Sequence, residues 1–184
     1  MKSIAYFCGK VKYAKKFTSL LETAQGKIVV CDIDNTVADV NGVLRRLGYD
    51  TSVYPNPELN DDFWLSFKGV EILMKAKPFV NTLYMVVGLQ NAGAEVCFAT
   101  ARNRYLMPAT YIWLARNGVK SDTVYFTPDK LSLEGDVYVE DDPAQIKRLL
   151  SAGKTVLIPE QFYNKGIEHK NAIYFNPRKG ADIR

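Results

Sequence analysis

Histidine is almost absent from this chain: His169 is the only one in 184 residues. That excludes His-rich metal sites and argues against a Ser-His-Asp hydrolase. Cysteine is scarce too, and Cys8, Cys31 and Cys97 each lie in an apolar run without paired spacing. They read as small buried hydrophobes of a reducing compartment, not as a disulfide framework. Cys97 and Arg102 invite comparison with a cysteine-phosphatase loop, which needs five intervening residues, whereas this chain has four and sets Cys97 inside a strand pattern. A strand gives a thiolate nothing that would lower its pKa. No window approaches the roughly 18 consecutive apolar residues of a membrane span. The apolar run at 4–8 is stopped by Gly9 and a basic stretch, too short for a secretory core, so the expected location is cytoplasmic. Charge of either sign is not in large excess: the net value of +4 suits an anionic substrate but is no nucleic-acid footprint unless the basic residues cluster.

What is present describes one well-buried domain with room for a small insertion, given the length and a hydrophobic fraction of 47%. The chain is organised around Val29-Val30-Cys31-Asp32-Ile33-Asp34-Asn35-Thr36. The apolar residues of 28–31 read as a buried strand that runs into two carboxylates two positions apart. Alternation along a strand sends Asp32 and Asp34 to the same side. Two anions so close repel unless a cation lies between them, and an all-oxygen site fits Mg2+. Turn chemistry is the other reading of Asp-x-Asp-Asn.

Before this strand, Ala14, Phe17, Leu20, Leu21 and Ala24 fall at helical spacing with Gly26 as a stop, and Lys10, Lys12, Lys15 and Lys16 form a solvated face. From 40 to 77 the α/β rhythm breaks, and this segment reads as a small, partly helical cap inserted after the first strand. Within it a helix capped by Asp61 or Asp62 carries Phe63 and Phe67 on its inner face, with Trp64 on another. Pro78 opens a helix with Phe79, Leu83, Val86, Val87 and Leu89 inward and Gly93 at its end.

Alternation then returns. A strand at 95–99 ends in Thr100-Ala101-Arg102-Asn103, and a helix near 106–116 closes at Asn117-Gly118. A strand at 123–126 is followed by the loop Thr127-Pro128-Asp129-Lys130. A strand at 137–139 ends in Glu140-Asp141-Asp142, Pro143 starts a helix stopped at Gly153, and 155–158 is a further strand. The pattern predicts an α/β fold: a doubly wound, Rossmann-like parallel sheet flanked by helices, with its site beyond the strand C-termini. The expected division is an N-terminal helical extension at 1–27, a core at 28–39 and 78–184, and the cap at 40–77.

Asp32-Ile33-Asp34-Asn35-Thr36, then Thr100, then Lys130, then Val139-Glu140-Asp141, in that order at strand ends, resemble the motifs of the haloacid dehalogenase-like superfamily of phosphatases. The resemblance spans about 28–158. It implies an Mg2+-dependent phosphomonoester hydrolase in which Asp32 takes the phosphoryl group and Asp34 protonates the leaving oxygen. It implies further that Thr100, Ala101, Arg102 and Lys130 bind the phosphate, Lys120 being the rival of Lys130. Mg2+ would be held by Asp32, the backbone carbonyl of Asp34 and Asp141. Glu140 is the second candidate for that last place, and Asp142, before Pro143, reads as a helix N-cap.

Asp39, Phe63-Trp64, Lys77-Pro78-Phe79, Thr100-Ala101-Arg102 and Phe162-Tyr163-Asn164 are similar to the 5'(3')-deoxyribonucleotidase branch. Asn35 and Thr36 stand where that branch usually has glycine and an aliphatic residue. The resemblance implies a nucleoside monophosphate as substrate, with Trp64 stacking on the base. The alternatives are a nucleic-acid 3'-phosphatase of the polynucleotide kinase-phosphatase type and a non-catalytic nucleotide-binding or regulatory domain. Oligomeric state is not encoded in any of these patterns.

Overall fold

The computed structural model describes residues 11–121 and 123–178; the expectations placed on Cys8, Gly9 and Lys10 lie outside them. In chain order the elements are α1 (Val11–Glu22), β1 (Ile28–Asp32), β2 (Ala38–Asp39), α2 (Val40–Arg46), α3 (Asp61–Leu65), α4 (Phe67–Lys75), β3 (Lys77–Pro78) and α5 (Val80–Asn91). There follow β4 (Glu95–Thr100), α6 (Met107–Arg116), β5 (Val124–Phe126), β6 (Val137–Val139), α7 (Pro143–Ser151), β7 (Thr155–Pro159) and β8 (Ala172–Phe175). Short 3-10 turns lie at Arg104–Leu106, Lys130–Leu133 and Phe162–Asn164.

Val29, Val30 and Cys31 are at most 1% exposed, because β1 is covered on both faces. Val29 and Cys31 join a hydrophobic cluster with Phe17, Leu44 and Leu89, while Val30 joins a second with Ile146 and Leu149 of α7, as strand alternation requires. Six strands form one parallel sheet in the order β5-β4-β1-β6-β7-β8. Among these six the order is 3-2-1-4-5-6, the doubly wound arrangement, and it reverses at β1. β4 pairs with one edge of β1 and β6 with the other, so the crevice between their C-terminal ends opens at Asp32.

α1 buries Ala14, Phe17, Leu20 and Ala24, and the chain leaves it through Gly26 at φ 73°. Lys12 and Lys15 are exposed, whereas Lys16 reaches back to the carbonyls of Lys170 (2.7 Å) and Ala172 (3.2 Å). Strand β8 has no counterpart in the sequence reading.

The segment 40–77 differs from expectation in several places. α2 buries Val40, Val43 and Leu44 at helical spacing and is capped by Asp39, whose Oδ1 accepts from Gly42 N at 2.9 Å. Its seven residues are too few to show as a periodic pattern. Phe63 and Phe67 do not share one helix: α3 ends at Leu65, Ser66 is extended, and its Oγ accepts from Gly69 N to start α4. Phe67, expected in the interior, is 87% exposed for that reason, while Phe63 packs edge-on against Tyr49 and Trp64. A Cβ on Gly69 would lie 2.3 Å from the Phe63 carbonyl oxygen, so the tight corner between α3 and α4 requires glycine. Pro78 does not open a helix either. The Phe79 N–H donates to Val37 O at 2.7 Å, drawing Lys77–Pro78 into an antiparallel ribbon with Ala38–Asp39. Helix α5 starts at Val80 and buries Val86 and Leu89, and adjacent Val87, expected inward, is 47% exposed. Buried Val40, Val43, Leu44, Ile72 and Leu73 share the cluster of Val29 and Cys31.

Candidate functional site

The C-terminal ends of β1, β4 and β6 bring Asp32, Thr100 and Glu140-Asp141 to one crevice. Asp32, the last residue of β1, is 5% exposed and lies 2.5 Å through Oδ1 from Lys130 Nζ. Lys130, carried in by the 3-10 turn after β5, is itself 4% exposed and also lies 2.6 Å from Glu140 Oε2. The other Glu140 oxygen accepts the backbone N–H groups of Asp141 and Asp142 at 3.1 and 3.0 Å. Asp141 accepts from Thr36 Oγ1 at 2.9 Å and from Tyr163 Oη at 2.5 Å, one donor on each carboxylate oxygen.

Asp32, Glu140 and Asp141 offer oxygens within 4.8 Å of one another. Among the described residues these three buried carboxylates face one ammonium, that of Lys130, which leaves two negative charges, the charge of one divalent ion. An all-oxygen donor set suits a hard cation such as Mg2+. The electrostatics carry the same strain. Burial pushes the Asp32 carboxyl up against the opposing pull of Lys130, and pushes Glu140 up to about 7. Burial, then the charges of Asp32 and Glu140, push Asp141 well above the usual carboxylate range. At Lys130 burial works against the ammonium, but the Asp32 and Glu140 carboxylates outweigh it and its pKa is raised.

Asp34 is held differently. The strand ends at Asp32, and the chain turns through Asn35 at φ 56°. The two carboxylates pair with different side-chain cations: Asp34 receives Arg102 Nε at 2.8 Å and Nη2 at 2.6 Å, a bidentate fork, while Arg102 Nη1 donates to Thr110 Oγ1 at 3.0 Å. The Asp34 side chain lies outside the acidic cluster of Asp32, Glu140 and Asp141. Thr100 is buried and its Oγ1 accepts from Arg102 N at 3.2 Å, while Ala101 is exposed.

The two departures from the branch pattern acquire a physical account. Position 35 needs a left-handed backbone, which glycine and asparagine both adopt, and Asn35 Oδ1 also accepts from Asn41 N at 2.8 Å. Thr36, 0% exposed, supplies the hydroxyl that Asp141 accepts. Asp142 Oδ1 accepts from Ala144 N at 2.7 Å, the N-cap of α7 expected of it. Lys120 is exposed beside Val80 and Gly118, apart from the crevice. Trp64 is half-buried on α3 and lines a cavity of about 200 Å3 with Asp34, Asn41, Tyr54 and Leu59.

Sequence reasoning gave no function to several residues of the site. Asn164, 0% exposed, donates through Nδ2 to the Asp141 carbonyl at 2.9 Å and to Pro159 O at 3.0 Å, and Gln161 Nε2 donates to Asn35 O at 2.8 Å. Asn164 stands in the Phe162-Tyr163-Asn164 motif without a role, and the signal of Gln161 is position alone, just beyond the C-terminal end of β7, where sites of such sheets collect. Tyr54 had none: it lies in the Pro-containing segment before α3 and stacks on Tyr163 at 4.5 Å between ring centroids.

No family model and no curated protein matches the sequence. Among solved structures the chain is similar to CbbY from Rhodobacter sphaeroides in complex with phosphate. Identity is 15% and the TM-score 0.39, over 82% of this chain and 93% of that one. At that degree of overlap the likeness decides nothing about chemistry.

Proposed function

We propose that this protein is an Mg2+-dependent phosphomonoester hydrolase of the haloacid dehalogenase-like type, acting on nucleoside monophosphates through an aspartyl phosphate at Asp32. The observation that carries the reading is the buried group of Asp32, Glu140 and Asp141 set, among the described residues, against the one cation Lys130. Such a group is costly to bury unless a divalent ion completes it. Asp32, Asp141 and the backbone carbonyl of Asp34 would hold Mg2+, with Glu140 the second candidate. Mg2+ there supplies the positive charge that lets an anionic nucleophile approach a phosphate dianion.

In this reading an Asp32 carboxylate oxygen attacks phosphorus as the bond to the leaving oxygen breaks, and Asp34 delivers a proton to that oxygen. Asp34 then takes a proton from water, whose oxygen attacks phosphorus; the acyl phosphate opens, releasing inorganic phosphate and restoring Asp32. Thr100, the Ala101 backbone, Arg102 and Lys130 bind the phosphate oxygens. Both Asp34 oxygens accept from Arg102, so at least one must be released and take up a proton from solvent before the first turnover, after which the proton taken from the hydrolytic water serves the next. A phosphate dianion is a strong partner for a planar fork and can draw Arg102 away. The cavity between Asp34 and Trp64 would take the leaving group, with the Trp64 indole against the base.

A panel of phosphomonoesters assayed with Mg2+ and with excess chelator tests this. Expected is Mg2+-dependent phosphate release led by nucleoside monophosphates and lost in Asp32→Asn. No release from any ester, or an Asp32→Asn variant with parental activity, would overturn it.

A further inference from the structure

The Asp141 carboxylate is oriented by two hydroxyls from different parts of the chain. Thr36 donates to Oδ1 at 2.9 Å and Tyr163 to Oδ2 at 2.5 Å. A carboxylate oxygen carries two lone pairs, so one donor on each fixes the plane and leaves each oxygen able to bind a cation. Tyr163 is held in turn. Its neighbour Asn164 is tied to the Asp141 and Pro159 carbonyls, and Asn164 Oδ1 accepts from Gln161 N at 2.9 Å. On its face lies Tyr54, from the segment inserted after β1, with centroids 4.5 Å apart and ring planes inclined by 18°. Asn41 Nδ2 adds a long hydrogen bond to Tyr163 Oη at 3.4 Å.

We infer that Tyr163, braced by Tyr54, is a positioning residue that sets Asp141 for a divalent cation, so that the inserted segment contributes to ion affinity without touching the ion. This rests on the reading of Asp141 as a metal ligand. Donors that orient a metal ligand without touching the ion alter metal affinity about 10- to 100-fold. The brace contributes less, since an aromatic pair is worth about a 2- to 10-fold change. Tyr54 also lines the cavity beside Asp34, so the same ring touches the proposed leaving-group pocket and the residue that orients Asp141.

The test is an equilibrium titration with Mn2+ as the probe, read by electron paramagnetic resonance without substrate, on the full chain. Circular dichroism in chelator reports whether each variant is folded. Tyr163→Phe keeps the ring and removes the donor, and its Kd should rise about 10- to 100-fold. Tyr54→Ala should raise Kd about 2- to 10-fold and Tyr54→Phe, which preserves the stack, should restore it. Phe162→Ala, at the exposed neighbouring ring, should bind like the parent. Parental affinity in Tyr163→Phe or in Tyr54→Ala overturns the inference while leaving the metal reading intact. A parent that takes up no Mn2+ overturns both. If Tyr163→Phe does not fold, the Tyr54→Ala and Tyr54→Phe pair decides alone.

Discussion

Arg102 closes on Asp34 with two arms of its guanidinium, Nε to Oδ2 at 2.8 Å and Nη2 to Oδ1 at 2.6 Å. Drawn off Asp34 by a substrate phosphate, the same fork would bind two phosphate oxygens, which lysine cannot do, since its ammonium is a point charge. Arg102→Lys should therefore lower kcat for a phosphomonoester by about 100- to 1,000-fold, the scale of losing one preorganised donor at a developing charge.

Asp34→Asn separates proton delivery from phosphate binding. Loss of a general acid costs about 100- to 10,000-fold with a poor leaving group, and an aryl phosphate of low leaving-group pKa should recover much of it. Rates measured along a series of leaving groups check this; a loss that is the same throughout the series would remove Asp34 from the acid step.

The divalent ion should discriminate between adjacent acids. Asp141→Asn is expected to raise the Mg2+ concentration needed for half-maximal phosphate release strongly, whereas Asp142→Asn, which keeps a good N-cap on α7, should leave it near the parental value. Mg2+ titrations of the two variants measure the contrast, and the reverse order would move the ligand to Asp142.

Glu140 gives a pH dependence whose sign can be worked out. Burial pushes its carboxyl from 4.5 up to about 7, so between those values the folded protein holds a proton that the unfolded chain has lost. The Glu140 contribution to stability of the ion-free protein should then fall as pH rises from about 4.5 to about 7 and stay constant above. Asp32 and Asp141, also raised by burial, act in the same direction. Thermal melts across this window in chelator should show the decline, Mg2+ should reduce it, and Glu140→Gln should flatten it. A melting temperature that climbs through the window in chelator would contradict the burial account.

Trp64 and Phe67 make a matched pair. Trp64 faces the cavity beside Asp34, while Phe67 is 87% exposed. Stacking on a base is worth about 1–3 kcal/mol, or roughly 5- to 150-fold in kcat/KM. Trp64→Ala should lose that preference for a nucleoside monophosphate over an aryl phosphate, and Phe67→Ala should change neither. A 3'-phosphorylated oligonucleotide leading the panel, with steep salt dependence, would instead point to nucleic-acid ends.

Much of this protein was determined by local sequence. The apolar run ending at Asp32 reads as a buried strand and is one, covered on both faces, and Gly26, Gly93, Gly118 and Gly153, all at positive φ, stop their helices as read. Because polar clusters at the ends of parallel strands must meet at one edge of the sheet, Asp32, Thr100 and Asp141 are legible together in the sequence. Tertiary structure decided which charge answers which. Asp32 pairs with Lys130 across 98 residues and Asp34 with Arg102 across 68, pairings that the spacing of the two aspartates does not specify. It also decided where local rules were overridden. Ser66 could continue a helix or break it, and the break that turns Phe67 to solvent came with a corner that Gly69 permits. Pro78 could open a helix, but the N–H of Phe79 found the Val37 carbonyl and left it in a ribbon. Tyr163 stands in a motif without a role and Tyr54 in none, and nothing local announces their contact, which depends on how two loops fold over the ends of distant strands.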